Sequence, residues 1–419
     1  MDVYIKPSTA YGTITAPPSK SLAHRYIICA ALAKGRSIID NVDLSEDIKA
    51  TLDCVKALGV GVLIEKERVT IDGINPNEAL FVKNGGINEE LSFYCRESGS
   101  TMRFFMGLAM YFGKPSRFYG SVTLRNRPFG IYEDICDKQG IDFVRNEDHI
   151  YVNGRLSAGI YELKGNISSQ FITGLMFGLP LLEEDSTIKL IPPVESRSYI
   201  NLTIQALRDY GVDVHWSDDT TLFIKGGQSY KACDRRVEGD CSNAAFLEAF
   251  NYIGGDVKVL GLNEDTLQGD GVYKKLFDIL AKGDDITIDI SDCPDLGPIL
   301  FALAACLKGG SFTGTRRLRM KESDRGSVMC AELAKLGISS VIEENDIHIS
   351  GADLVNAKDV SGYLHGEDLS GHNDHRIVMS LSLILTLLGG KITGANAVAK
   401  SYPGFFEDIE GLGIKLERI

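Results

Sequence analysis

The stretch PPSKSLAHR, residues 17 to 25, sets Lys20, Ser21 and Arg25 directly ahead of the apolar run YIICAALA. Small polar groups and cations meet the start of an apolar or amphipathic segment again and again along the chain. They do so at Ser98, Gly99, Ser100 and Arg103, at Arg127, at Ser168, Ser169 and Gln170, and at Ser196, Arg197 and Tyr199. They do so again at Asp295, at Lys321, Glu322 and Arg325, at Asn373, Asp374, His375 and Arg376, and at Lys400. A helix N-terminus leaves N–H groups unpaired and carries about half a positive charge, so it suits a phosphate or carboxylate. A cation beside it opposes that dipole unless an anion lies between. Taken singly, Ser21, Ser100, Ser168 and Asp295 are good helix N-caps. Their repetition points instead to a substrate with more than one anionic group. Catalysis on such a substrate rests on positioning and electrostatic stabilisation, with Asp295, Lys321 and Glu322 as the groups able to move protons.

Other chemistries fit less well. PPSKS is superficially similar to a phosphate loop but lacks the glycines of GxxxxGK[ST], and no GxGxxG follows a strand, so neither a nucleoside triphosphatase nor a dinucleotide site is indicated. HNDH at 372 to 375 has no third ligand at a metal-binding spacing, and His375 beside Arg376 suits an anion better than a metal.

The elements that must position these residues form one module written six times. Each copy has a first helix that is almost wholly apolar: SKSLAHRYIICAALA, GSTMRFFMGLAMY, SSQFITGLMFGLP, GDCSNAAFLEAFNYI, PDLGPILFALAACL and DHRIVMSLSLILTLL. Helices apolar all round are buried. About 25 to 30 residues later an amphipathic second helix follows, as in SEDIKATLDCVKALG and ESDRGSVMCAELAKLG, and lies on a surface. After most second helices comes a hairpin pattern, as in GVGVLIEKERVTIDG, GIDFVRNEDHIYVNG, GVDVHWSDDTTLFIKGG and GISSVIEENDIHISG. The sixth copy ends GIKLERI without a return strand, while the chain opens on the strand-like VYIKP, so the N-terminal strands are expected to complete the sixth unit. The fold expected is α/β with two similar domains of three βαβαββ-type units, residues 20–236 inserted into a discontinuous domain of 1–19 plus 237–419. Helix starts of like-wound units would then line an inter-domain cleft with Lys20, Arg25, Arg103, Arg127, Arg325, Arg376 and Lys400. These cations, uncompensated in the empty protein, should hold the cleft open.

Composition agrees with this outline. A chain of 419 residues at 44% hydrophobic suggests two domains of roughly 200 residues. The net charge of −13 argues against a nucleic-acid partner or an anionic membrane bound through a basic face. The start has no apolar targeting core, and no window reaches the roughly 18 apolar residues of a spanning helix. The nine cysteines form no CxxC pair, so reduced thiols in a cytoplasmic protein are expected.

As a set, PPSKSLAHR, SGSTMR, RNRPFG, GNISSQF, PDLGP, RMKESDR, NDHRIVM and KSYPGFF resemble, in order and over essentially the whole chain, the EPSP synthase family of enolpyruvyl transferases. The resemblance implies two domains of the inside-out α/β barrel type. It implies transfer of the enolpyruvyl group of phosphoenolpyruvate to the 5-hydroxyl of shikimate 3-phosphate, releasing phosphate, on the route to aromatic amino acids. Lys20, Arg127, Arg325, Arg376 and Lys400 would surround phosphoenolpyruvate, with Gly99 and Ser100 packed against it and Gln170 nearby. Ser21, Arg25, Ser168, Ser169, Gln170, Ser196, Asp295 and Lys321 would hold shikimate 3-phosphate. Asp295 would be the base for the attacking hydroxyl, Glu322 with Lys321 the proton donors to the methylene carbon, and Lys20 a further catalytic cation. The resemblance implies no metal, no organic cofactor, and a cytoplasmic monomer whose partners are these two small anions.

Some positions depart from the family pattern. Glu97 stands where Asn is common, Ser100 where Thr is common, and Arg317 where Asn touches the shikimate side. The family is the target of glyphosate, which competes with phosphoenolpyruvate, and Gly99 sits at the usual determinant. The nearest rival, the enolpyruvyl transferase acting on UDP-N-acetylglucosamine, has Lys-Asn where this chain has Lys20-Ser21, and a loop cysteine that the segment Phe112 to Asn126 lacks. A non-catalytic anion-binding protein of the same fold would keep Lys20 and Arg127 but have no need of Asp295, Lys321 and Glu322 together.

Overall fold

In the computed structural model of the chain, residues 1–76, 90–166, 168–283, 286–363 and 368–419 are described; Ile167 of the GNISSQF motif lies outside them. Two units divide the chain, Pro18–Glu238 and Met1–Pro17 with Gly239–Ile419, and each has its own hydrophobic core. No helix among the described residues is long and apolar enough to cross a membrane.

The unit Pro18–Glu238 carries helices α1 (Lys20–Leu32), α2 (Glu46–Ala57), α3 (Gly99–Phe112), α4 (Gly130–Gln139), α5 (Ser169–Gly178) and α6 (Arg197–Asp209). The other unit carries α7 (Cys241–Glu248), α8 (Tyr273–Ala281), α9 (Gly297–Cys306), α10 (Arg325–Lys335), α11 (His375–Leu388) and α12 (Phe405–Gly411). The apolar first helices are the core elements. Every residue of α1 from Leu22 to Leu32 is buried, as is every residue of α9. The second helices bury one face only, which is what their mixed composition allows.

The strands follow one plan. In the second repeat Leu91–Tyr94 and Ser116–Tyr119 run parallel across α3, and His149–Asn153 then pairs antiparallel with both Ser116–Tyr119 and Asp142–Arg145. The parallel pair needs a crossover helix and the antiparallel pair only a turn, which is why each repeat alternates strand, helix, strand, helix, hairpin. The last repeat borrows its return strand: Val3–Lys6 lies between Gly390–Thr393 and Lys415–Arg418, antiparallel to each. The other N-terminal strand does not join it. Tyr11–Thr15 pairs in parallel with Asp256–Leu260, as the opening strand of the fourth repeat, so only Val3–Lys6 completes the sixth.

Close helix crossings aim the polar ends. A Cβ on Gly107 of α3 would run into the carbonyl of Gly174 on α5, and one on Gly174 would strike the carbonyl of Arg103. Glycine at both positions lets the two backbones touch, and that sets Arg103 beside Gln170.

Candidate functional site

The helix starts are built by capping, with two of the capping hydroxyls two residues earlier than the sequence suggests. Ser19, not Ser21, accepts from Leu22 N–H at the head of α1, and Ser98, not Ser100, accepts from Thr101 N–H at the head of α3. Ser168 caps α5 as expected. Asp295 is not the N-cap of α9, which has no side-chain cap; its carboxylate is taken by cations. Moving the cap back leaves Lys20, Ser21, Gly99 and Ser100 within the first turn, where side chains and N–H groups are available to a ligand.

In the unit Pro18–Glu238, Lys20 Nζ lies 2.8 Å from Asp47 Oδ2, an ion pair between the starts of α1 and α2. Gln170 bridges α5 to α3: its Oε1 accepts from Arg103 Nη1 at 2.5 Å and its Nε2 donates to Ser100 Oγ at 2.8 Å. The Arg103 guanidinium lies over the Phe171 ring at 4.9 Å. Arg127 lies against the head of α3. A Cβ on Gly99 would be 2.6 Å from Arg127 Nη1, so only glycine admits the guanidinium there. Arg127 Nε is buried with no hydrogen-bond partner among the described residues. Ser169 and Ser196 are buried, and Ser196 holds a left-handed backbone (φ 53°) just before α6.

Arg25 is the sharpest anomaly of this group. It is 3% exposed, and its donors reach Thr203 Oγ1 at 2.9 Å, the Ser21 carbonyl at 2.6 Å and the Tyr199 carbonyl at 3.1 Å. All are neutral acceptors, and no carboxylate pairs with it among the described residues. Burial pulls its guanidinium down to about 10. A buried cation without a counter-charge is costly and calls for an anionic ligand.

In the other unit the cations converge on one carboxylate. Asp295 Oδ1 lies 2.9 Å from Lys321 Nζ and 2.7 Å from Arg325 Nη1, and Oδ2 lies 3.5 Å from Arg376 Nη2. Burial works against the Asp295 charge, yet Arg376, Lys321 and Arg325 outweigh it and hold the carboxyl well below its usual range. Burial lowers the Lys321 ammonium; the Asp295 charge opposes the shift and the Arg325 and Arg317 charges add to it. Arg325 also donates to Glu322 Oε2 at 2.6 Å and to Asp374 Oδ2 at 2.8 Å. Lys400 Nζ donates to the Asn373 carbonyl at 2.6 Å. Arg317 and His375 are both buried.

Each unit therefore gathers its own share of the residues singled out from sequence. The expectation that the cations are uncompensated fails for Lys20, Arg325 and Arg376, because Asp47, Glu322, Asp295 and Asp374 pair with them. It holds for Arg25. Asp47 and Asp270 escaped the sequence reading. Asp270 is buried, accepts from Ser242 Oγ, and feels the charges of Asp295 and Arg376. Both acids stand among helix-start residues where a carboxylate is ordinarily only a favourable dipole partner, and nothing in local spacing marks them.

Comparison with known proteins adds a second line of observation. The sequence profile described as EPSP synthase (3-phosphoshikimate 1-carboxyvinyltransferase) matches residues 5–409. The chain is 37% identical to the 3-phosphoshikimate 1-carboxyvinyltransferase of Clostridioides difficile strain 630, over 99% of this chain and 98% of that one. It is 38% identical to the protein of the same description from Clostridium kluyveri, with the same coverage. Among solved structures, an EPSP synthase from Acinetobacter baumannii superposes with a TM-score of 0.76 at 25% identity, covering 99% of each chain.

Proposed function

The chain belongs to the EPSP synthase family, and we propose how its residues share the work of the family's reaction. That reaction, the activity of this chain in the shikimate pathway, moves the enolpyruvyl group of phosphoenolpyruvate to shikimate 3-phosphate and releases phosphate. Shikimate 3-phosphate takes up Arg25, Ser21, Ser168, Ser169, Gln170, Ser196, Asp295 and Lys321. Phosphoenolpyruvate takes up Lys20, Arg127, Gln170 and the head of α3 at Gly99 and Ser100, together with Arg325, Arg376 and Lys400. The protein acts as a cytoplasmic monomer, and its nine free thiols suit a reducing compartment.

The chemistry needs a proton on the methylene carbon of phosphoenolpyruvate, which makes the adjacent carbon electrophilic. The 5-hydroxyl adds there and loses its proton. Reversal of the carbon protonation then breaks the bond to phosphate. Asp295 is the acceptor for the hydroxyl proton. Its three cations keep it ionised, and a substrate anion that draws Lys321 or Arg376 away restores its basicity. Glu322 and Lys321, neighbours in sequence, deliver and recover the proton at carbon. The lowered Lys321 ammonium supports that role, since a group nearer neutrality gives up a proton more readily. Lys20 and Arg127 stabilise charge on the departing phosphate.

The observation carrying this assignment is the convergence of Lys321, Arg325 and Arg376 on the single carboxylate of Asp295. The test is phosphate release from phosphoenolpyruvate with shikimate 3-phosphate, with UDP-N-acetylglucosamine, and with no acceptor. Release is expected with shikimate 3-phosphate alone. Binding of both substrates without release would overturn the catalytic reading.

A further inference from the structure

Two consecutive residues other than glycine, His372 (φ 47°) and Asn373 (φ 54°), stand in the left-handed region. The N–H of Asp374 donates to the Gly371 carbonyl at 2.8 Å, so 371–374 is a reverse turn with positive φ at both central positions, the signature of type I′. Asparagine tolerates such a position and histidine resists it. Strained turns of this kind persist only where their surroundings over-determine them.

Here the surroundings are supplied by α10. Glu332, only 1% exposed, accepts from the Ser370 N–H at 2.9 Å, lies 2.7 Å from His372 Nε2 and pairs with Lys335 Nζ at 2.9 Å. Ser370 Oγ accepts from the His372 N–H at 3.2 Å. Two helical turns back on the same helix, roughly 10 Å away along its axis, Arg325 grips Asp374 at the far end of the same turn. Between these two holds the turn carries much of the anion-facing machinery of this unit. The Asn373 carbonyl receives Lys400, Asp374 caps α11, and Arg376 follows in the first turn with Nη1 on the Asp295 carbonyl at 2.9 Å.

We propose that Glu332 is a positioning residue of the transferase, which by holding Ser370 and His372 from α10 keeps the 371–374 turn in its strained form and so places Lys400 and Arg376 for phosphoenolpyruvate. This rests on the assignment of those two cations to that substrate. Without the carboxylate, the Ser370 N–H loses its acceptor and His372 is free to leave the left-handed region. Asn373 and Arg376 then move with it.

The experiment uses steady-state kinetics of the full chain. Glu332→Ala is expected to raise KM for phosphoenolpyruvate on the order of 10-fold, as sub-ångström displacement of binding groups does, while KM for shikimate 3-phosphate stays within about two-fold of wild type. Adding His372→Gly to that variant places at 372 a residue that occupies positive φ freely, and the double variant should recover most of the loss. A double variant no better than the single one would reduce Glu332 to a packing residue and overturn the proposal. Should Glu332→Ala not fold, His372→Ala, with its side chain 35% exposed, carries the same expected rise in KM for phosphoenolpyruvate, and an unchanged KM overturns the proposal. Amide exchange across 371–376 reads the turn directly. Faster exchange in the single variant and its restoration in the double support the clamp, and equal exchange overturns it. If the wild-type protein released no phosphate, the enzymatic assignment would fall while the exchange data still decided whether Glu332 holds the turn.

Discussion

Arg325 and Asp374 form a fork-to-fork pair in the protein interior, Nε to Oδ2 at 2.8 Å and Nη2 to Oδ1 at 3.3 Å, with the arginine side chain 2% exposed and the aspartate 0%. Burial works against the Arg325 charge, yet Asp374, Glu322 and Asp295 outweigh it and fix the guanidinium as a permanent cation. Breaking one side of such a pair strands the other without solvent. Asp374→Ala is therefore expected to lower the unfolding free energy by about 3–5 kcal/mol, part of it from the lost cap on α11. Urea titration checks this; a loss under about 1 kcal/mol would mean that Glu322 and Asp295 alone suffice to hold Arg325.

Gly99 has no room for a side chain on the side that Arg127 occupies. A methyl group there would sit 2.6 Å from Arg127 Nη1 and 3.4 Å from Arg103 Nη1. Both neighbours are the ends of flexible side chains, so the fold should yield at the guanidinium and keep its backbone. Gly99→Ala is expected to melt near the wild-type temperature and to raise KM for phosphoenolpyruvate by about 10-fold, with KM for shikimate 3-phosphate little changed. Initial rates with each substrate varied in turn decide it, and equal effects on both constants would contradict the placement of Arg127.

The repeats were legible because their signal is periodic: an all-apolar helix, an amphipathic helix and a hairpin recur at a nearly constant interval. That pattern anticipated α1, α9 and α11 as core helices and the truncated final hairpin that Val3–Lys6 completes. It could not say which repeat Tyr11–Thr15 serves, because a lone strand pairs by long-range packing and carries no mark of its partner. The caps were misread for a local reason. SKS and SGS each offer two hydroxyls, and only backbone geometry chooses the earlier one. Asp47, Asp270 and Glu332 were illegible because an acid on an amphipathic helix or in a loop is ordinarily solvated; what distinguishes these three is a partner far away in sequence.

Arg25 joins a stability argument to a functional one. Its charge is buried among neutral acceptors, so its removal costs the hydrogen bonds to Thr203, Ser21 and Tyr199 but also relieves an uncompensated cation. The two effects oppose each other. Arg25→Met is expected to leave the ligand-free melting temperature within a few degrees of wild type, while shikimate 3-phosphate no longer raises it as it does for wild type by mass action. Thermal scans with and without shikimate 3-phosphate supply the measurement. An undiminished shift with ligand would remove Arg25 from the substrate's binding groups.

Asp270 should give stability an inverted dependence on pH. Burial, and then the neighbouring Asp295 charge, push its carboxyl up to about 6 from an ordinary 3.8, with Arg376 and the Ser242 hydrogen bond opposing and Asp240 adding to the rise. A carboxyl raised on folding is held neutral by the native state. Its contribution is fully present below the unfolded value and disappears as pH climbs through the folded one, the opposite of Asp295, whose contribution disappears as pH falls. Over the window from about pH 4 to 6 the wild-type chain should thus lose about 2 kcal/mol on account of Asp270. Asn at 270 keeps an acceptor for Ser242 and has no proton to lose. The difference in unfolding free energy between Asp270→Asn and wild type should therefore be small at pH 4 and move in favour of the variant by about 2–3 kcal/mol at pH 8, because only wild type then buries a second negative charge beside Asp295. Denaturant titrations at the two pH values isolate this term, since every other titrating group is common to both proteins. A difference that did not change with pH would show that Asp270 ionises as freely in the folded chain as in the unfolded one, and that Arg376 and the Ser242 hydrogen bond fully offset burial and the repulsion from Asp295.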